Sequence, residues 1–172
     1  MLQLKGIFNT AKEIMESDFY IPIKVKFESM ESGIEHNLYW RTGNFLEIGI
    51  SPTNGTIISI TLLAASKVFV SKKQKAFDEY TEKFGLPSFK TDKWKNGNYY
   101  VDEDRDKDFE VYIYENNVNI VLDPHKIKTK IINNRVDFGF DGSNLLCSIE
   151  VKDLNYDEMS LLKESFHGMK AI

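Results

Sequence analysis

A chain of 172 residues fits one domain or two small, intimately packed halves. Its 42% apolar content, with 13% aromatics, is ample for a buried core. Acidic residues outnumber basic ones 26 to 22, a net charge of −4 that argues against nucleic acid as a partner, because phosphate binding needs a concentrated basic face.

The N-terminal Met1-Leu2-Gln3-Leu4-Lys5-Gly6 lacks the apolar stretch and small-residue cleavage site of a signal peptide. No apolar run reaches the roughly 18 residues that span a bilayer, which argues against a membrane. Leu4, Ile7, Phe8, Ala11, Ile14 and Met15 recur at helical spacing, with Lys5, Lys12, Glu13 and Glu16 opposite, and predict an amphipathic helix. The period then changes. Ile21, Ile23, Val25 and Phe27 alternate with Pro22, Lys24 and Lys26 as a half-buried strand, with Pro22 at its edge or start. Strands follow at 34–41, 45–51 and 56–65, separated by turns at Thr42-Gly43-Asn44 and Pro52-Thr53-Asn54-Gly55. The last of these is apolar on both faces and so should be central. Ser71 and Gln74 have the form of a capping box, predicting a second helix that carries Phe77, Tyr80 and Phe84 and closes at Gly85 and Pro87. Residues 87–98 read as a linker, with Trp94, Tyr99 and Tyr100 lying near its end.

The second half begins with acid. Strands are predicted at 109–115, 118–122, 127–131, 136–141 and 145–151, with turns at Asn116-Asn117, Asp123-Pro124-His125, Asn133-Asn134 and Gly142-Ser143-Asn144. Asn155 as N-cap, Glu158 as box partner and a Leu154–Met159 staple specify a final helix that continues through Leu162 and Phe166. The expected order is α-ββββ-α-βββββ-α. Every strand connection is short enough for a hairpin, so the fold class is α+β: antiparallel meanders with helices packed on one face.

Two stretches 90 residues apart echo each other: Gly49-Ile50-Ser51 with Ile58-Ser59-Ile60-Thr61-Leu62, and Gly139-Phe140-Asp141 with Cys147-Ser148-Ile149-Glu150-Val151. The echo reads either as an internal duplication, with halves at 18–86 and 98–168 of a single 1–172 domain, or as the likeness any two hairpins bear.

No motif for catalysis or a cofactor is present: no Gly-rich phosphate loop, no HExxH, and isolated His36, His125 and His167. The single Cys147 excludes an internal disulfide and reads as a buried small hydrophobe, and one Cys with scattered His does not make a zinc site. Ser160-Leu161-Leu162-Lys163 matches S-x-x-K without its companion elements. Asp102, Asp104, Asp106 and Asp108 take the alternate positions of a calcium loop, but Lys107 and Ile113 stand where an EF-hand needs Gly and Glu. No metal, no cofactor and no catalytic set is therefore assigned. What remains is charge and aromatic area. Residues 102–110 hold six acids against two bases, beside Trp94, Tyr99 and Tyr100. Asp102, Glu103, Asp104, Asp106 and Asp108 with those three aromatics form the candidate partner surface, since acids steer a cationic partner and Trp and Tyr anchor it. The lysine groups Lys67, Lys72, Lys73, Lys75 and Lys126, Lys128, Lys130 read as solvated or edge-protecting charge.

Lysine outnumbers arginine 19 to 3, a balance typical of an AT-rich bacterial genome. The stretch from Asn133-Asn134-Arg135-Val136-Asp137-Phe138-Gly139-Phe140-Asp141 through Ser148-Ile149-Glu150-Val151 and the final helix resembles small bacterial proteins similar to the immunity proteins of polymorphic toxin systems. The resemblance covers about a quarter of the chain, contains no fixed chemical signature and carries over no residue role. It implies a cytoplasmic, non-enzymatic protein whose partner is another protein, a toxin domain. Two other readings stand beside it. One is an enzyme or small-ligand protein with a site between the halves, built from His36, Tyr39, Arg41, Glu47, Asp137 and Asp141. The other is a self-associating structural protein. The oligomeric state is open.

Overall fold

The computed structural model describes residues 1–28, 37–43, 45–71, 79–94, 100–104, 107–166 and 170–171. Of these, 52% lie in strands and 9% in helices, and one α-helix is present among the described residues. The expected α+β fold with helices on a sheet is therefore replaced by a mostly β architecture of three sheets.

The smallest sheet pairs β1 (Leu4–Phe8) antiparallel with β9 (Leu86–Phe89). It occupies the place of the expected first helix. The apolar spacing there fits a helix, but Gly6 and the Asn9-Thr10 pair break it, and β9 offers a fully buried partner strand. Residues Glu13–Met15 form β2, the outer strand of a second, six-stranded sheet. Its other members are β3 (Ile23–Phe27), β4 (Leu38–Thr42), β5 (Leu46–Ile50), β6 (Ile57–Leu62) and β10 (Tyr100–Asp104), in the order β10-β4-β5-β6-β3-β2.

The third sheet has eight strands: β7 (Lys67–Ser71), β8 (Thr81–Phe84), β11 (Glu110–Tyr114), β12 (Asn117–Val121), β13 (Thr129–Asn133), β14 (Val136–Phe140), β15 (Leu146–Val151) and β16 (Lys170–Ala171). Their order is β16-β7-β11-β12-β15-β14-β13-β8. The expected second helix is overturned where its end is described. Phe84 lies in β8 and is 70% exposed, and Gly85 is a sharp bend (φ +136°) between β8 and β9. Residues 72–78 of that helix, including Gln74 and Phe77, lie outside the described residues. The expectation of purely antiparallel pairing also fails. β10–β4, β7–β11, β8–β13 and β16–β7 are parallel, because strands distant in sequence are recruited to the edges of each meander.

The two large sheets face each other. Alternate residues point inward: Val25, Phe27, Trp40, Ile48 and Ile60 from one, Val111, Ile120, Ile131, Phe138 and Ile149 from the other, all in one core cluster. The Phe27 and Phe138 rings meet across the gap at 6.1 Å, and Phe89 of the small sheet meets Phe140 at 6.3 Å. The helix α1 (Tyr156–Ser165) buries Met159 and Leu162. Its capping box forms as the sequence pattern has it, with Asn155 Oδ1 accepting from Glu158 N–H and Glu158 accepting from Asn155 N–H. No helix among the described residues is long and apolar enough to cross a membrane.

The two echoing hairpins share one register. In each, a glycine faces a serine (Gly49 and Ser59, Gly139 and Ser148) and a bulge follows the glycine. A Cβ at Gly49 would come 2.3 Å from Ser59 Oγ, and one at Gly139 2.4 Å from Ser148 Oγ. The neighbours match as well. β3 flanks β6 as β12 flanks β15, β4 flanks β5 as β13 flanks β14, and a parallel strand closes each meander, β10 on one and β8 on the other.

Candidate functional site

The acid-rich segment is a strand over part of its length. β10 lies at the edge of the six-stranded sheet and pairs with β4 in parallel, Tyr100 opposite Tyr39 and Val101 opposite Trp40. Val101 turns inward and is buried, so Tyr100 belongs to the outer face, where it is 48% exposed. Its ring stacks on Tyr39 at 5.6 Å, and the Arg41 guanidinium lies 3.6 Å from its centroid. Arg41 Nε also donates to Glu47 Oε2 at 2.9 Å on the next strand. Beyond the ends of β5 and β6 the same face continues into Phe45 and Leu63, 42% and 44% exposed and joined by a Leu63 N–H to Phe45 O bond. The result is a rigid aromatic and cationic row with apolar ends, on a sheet face that faces away from the core.

Of the sequence-predicted partner residues, Tyr100 is in this row, and Asp102, Glu103 and Asp104 continue the same strand. Asp106 and Tyr99 lie outside the described residues. Trp94 ends a short 3-10 helix and packs half-buried against the core. Asp108 is a structural tie. Its carboxylate meets Lys67 Nζ at 2.9 Å and accepts from Ser66 Oγ at 2.9 Å. The Lys67 hydrogen bond, helped by Ser66, holds the Asp108 carboxyl below its usual range and raises Lys67. Tyr39 and Arg41 belong, in the sequence, to the alternative site between the halves. The period-2 pattern of residues 38–42 was the available signal, since it puts both on the outer face.

The residues proposed for a site between the halves do not converge. Tyr39, Arg41 and Glu47 stand on the outer face of one sheet, and Asp137 lies on the other. Asp141 caps the β14–β15 turn, accepting from Ser143 N–H at 2.8 Å and Leu145 N–H at 2.9 Å. His36 lies outside the described residues, as does His167. Among the described residues no group of acids, His and Cys is arranged to hold a metal ion.

The structure does assemble a buried ionic network on the second sheet. Lys130 Nζ lies 2.8 Å from Asp137 Oδ2 and 3.0 Å from Glu150 Oε2, and Lys152 Nζ lies 2.8 Å from Asp137 Oδ1. The Tyr114 hydroxyl donates to Glu150, and the Tyr80 ring stands 5.6 Å from the Lys130 ammonium. Asp137 and Glu150 are neighbours across β14 and β15 and are 2% and 4% exposed. Burial raises the Glu150 carboxyl, partly offset by Lys152. This corrects the reading of Lys126, Lys128 and Lys130 as one solvated row: Lys126 and Lys128 are exposed, while Lys130 is 8% exposed and paired. With Asp137, Glu150 and Lys130 all buried, the network ties β13, β14 and β15 together.

Three other candidates from the sequence lie among the described residues. His125 Nδ1 is 3.2 Å from Asp123 at the Pro124 turn. Cys147 is buried, and desolvation with the nearby Asp141 and Asp123 pushes its thiol up to about 12, which leaves it unreactive near neutral pH. Ser160 lies on α1 within hydrogen-bond reach of Glu164, and Lys163 is exposed. No family model matches the chain, and no curated protein matches it.

Proposed function

We propose that the protein is a non-catalytic protein-binding module of the immunity type, and that it docks a cationic toxin domain on the outer face of its six-stranded sheet. The observation that carries this reading is the Tyr39–Tyr100–Arg41 row on a strand that runs on into Asp102, Glu103 and Asp104. Aromatic rings held by stacking give contact area at little entropic cost, and acidic residues on the same strand would steer and orient a basic partner. The pattern-level resemblance to immunity proteins points the same way. A self-associating role competes for the same face, and sizing by light scattering separates the two.

The experiment is a pull-down from the native source with the tagged protein, identification of any stoichiometric partner, and affinity measurement with that partner. Tyr39→Ala with Tyr100→Ala should weaken binding at least about tenfold while the unfolding transition is retained. Asp102→Asn with Asp104→Asn should slow association and flatten its dependence on salt. Full affinity in both variants removes this face from the interface.

A further inference from the structure

The geometry points to a second, separate binding site: a cavity of about 520 Å³ that takes a small uncharged molecule with an apolar body and one hydrogen-bonding group. Its floor is the β5–β6 turn and the start of β6, and its walls are the segment between β1 and β2, the end of β3 and the first residue of β9. The volume falls within the range of small-molecule sites, roughly 300–1,000 Å³.

Three features make it a preformed site. The wall at residues 9–12 has no regular structure, yet it is fixed from the opposite sheet. Asn133, fully buried at an inward register position, accepts from Ala11 N–H at 2.8 Å and donates back to Ala11 O at 2.9 Å, and Asn134 adds a third bond at 3.0 Å. The floor is fixed by its own turn. Ser51 N–H donates to Thr56 O, Gly55 N–H to Ser51 O and Thr56 N–H to Asn54 Oδ1. Gly55, at φ +80°, leaves no room for a Cβ, which would stand 2.2 Å from Phe89 O.

The lining sets the ligand chemistry. Phe27, Ile57 and Leu86 supply buried apolar wall, and Phe8, 45% exposed, an aromatic rim. The formal charges among the described lining residues are Lys12 and Glu28, which pair with each other at 3.4 Å on the exposed mouth. A charged ligand would thus enter without a buried counter-ion, which is strongly unfavourable. Thr56 Oγ1 is buried with no hydrogen-bond partner, so turning it toward a ligand gives up no existing bond.

The test titrates the full chain with phenol, toluene and benzoate by two-dimensional NMR, with far-UV spectra confirming that each variant is folded. Phenol and toluene should shift the amides of Ala11, Ile57 and Leu86, and benzoate should bind at least tenfold more weakly. Filling the cavity by Ala11→Trp, or by Ile58→Trp should the first variant not fold, should abolish the shifts. Thr56→Val should weaken phenol severalfold and leave toluene unchanged. Shifts that map elsewhere, benzoate binding as well as phenol, or shifts that survive in a folded cavity-filled variant overturn the site. Equal loss of phenol and toluene in Thr56→Val overturns the role of the hydroxyl.

Discussion

Glu150 carries a negative charge into a place that water barely reaches. Burial raises its pKa above the ordinary 4.5, so the folded state holds its proton more tightly than the unfolded chain does. The sign follows from linkage: this stabilising contribution is fully present below the unfolded value and is lost as pH rises through the raised folded value. Glu150→Gln keeps an acceptor for Tyr114 and leaves Lys130 paired with Asp137. The variant should gain thermal stability relative to the native chain as pH rises above the ordinary carboxylate value of 4.5, and a difference independent of pH would contradict that assignment. Gly55→Ala should cost about 2 kcal/mol or more in denaturant unfolding, because it combines a left-handed backbone with a clash against the Phe89 carbonyl. The turn chemistry of Asn54-Gly55 was legible in the residues themselves. The burial of Lys130 was not: Lys126, Lys128 and Lys130 look alike in sequence, and only the neighbouring strands that bring Asp137 and Glu150 alongside distinguish the last.

At the scale of the element, signals within one hydrogen-bonded unit were readable and signals that depend on a distant partner were misleading. The final helix is specified locally by Asn155 and Glu158, and Asn155→Ala should destabilise the protein by about 1 kcal/mol in thermal or urea melts. The central hairpins were equally clear, since alternation and turn residues agree at 46–62 and 129–151. The helix expected at the N-terminus failed because its apolar spacing serves two short strands, one pairing with β9 some 80 residues on and the other with β3. Tertiary pairing overrides so weak a local preference. The wall at residues 9–12 was invisible for the same reason, since its order is conferred by Asn133. Asn133→Ala should loosen it. Hydrogen exchange at Ala11 should accelerate at least about tenfold while amides in β14 and β15 keep their protection.

At the scale of the whole molecule, the edge strands are traded. β7 and β8, drawn from the first half of the sequence, flank the second meander against β11 and β13, with β16 outside β7, and β10, which precedes the second meander, closes the first against β4. One core cluster joins the sheets. The native chain should therefore unfold in one transition, coincident by near-UV and far-UV circular dichroism. A fragment of residues 98–172, which lacks both β7 and β8, should show no cooperative melt. Nothing in local periodicity reports such an exchange, because it is a property of connections between segments that each read correctly as a strand.

The traded strands also set a timetable for synthesis. As the chain leaves the ribosome, β2 to β6 can pair before β10 exists, and the outward edge of β4, with Tyr39 and Arg41 beside it, waits until residues 100–104 emerge. During that interval β4 is an open template for another nascent chain. Slow decoding between residues 62 and 100 would lengthen the exposure, and brisk decoding would shorten it.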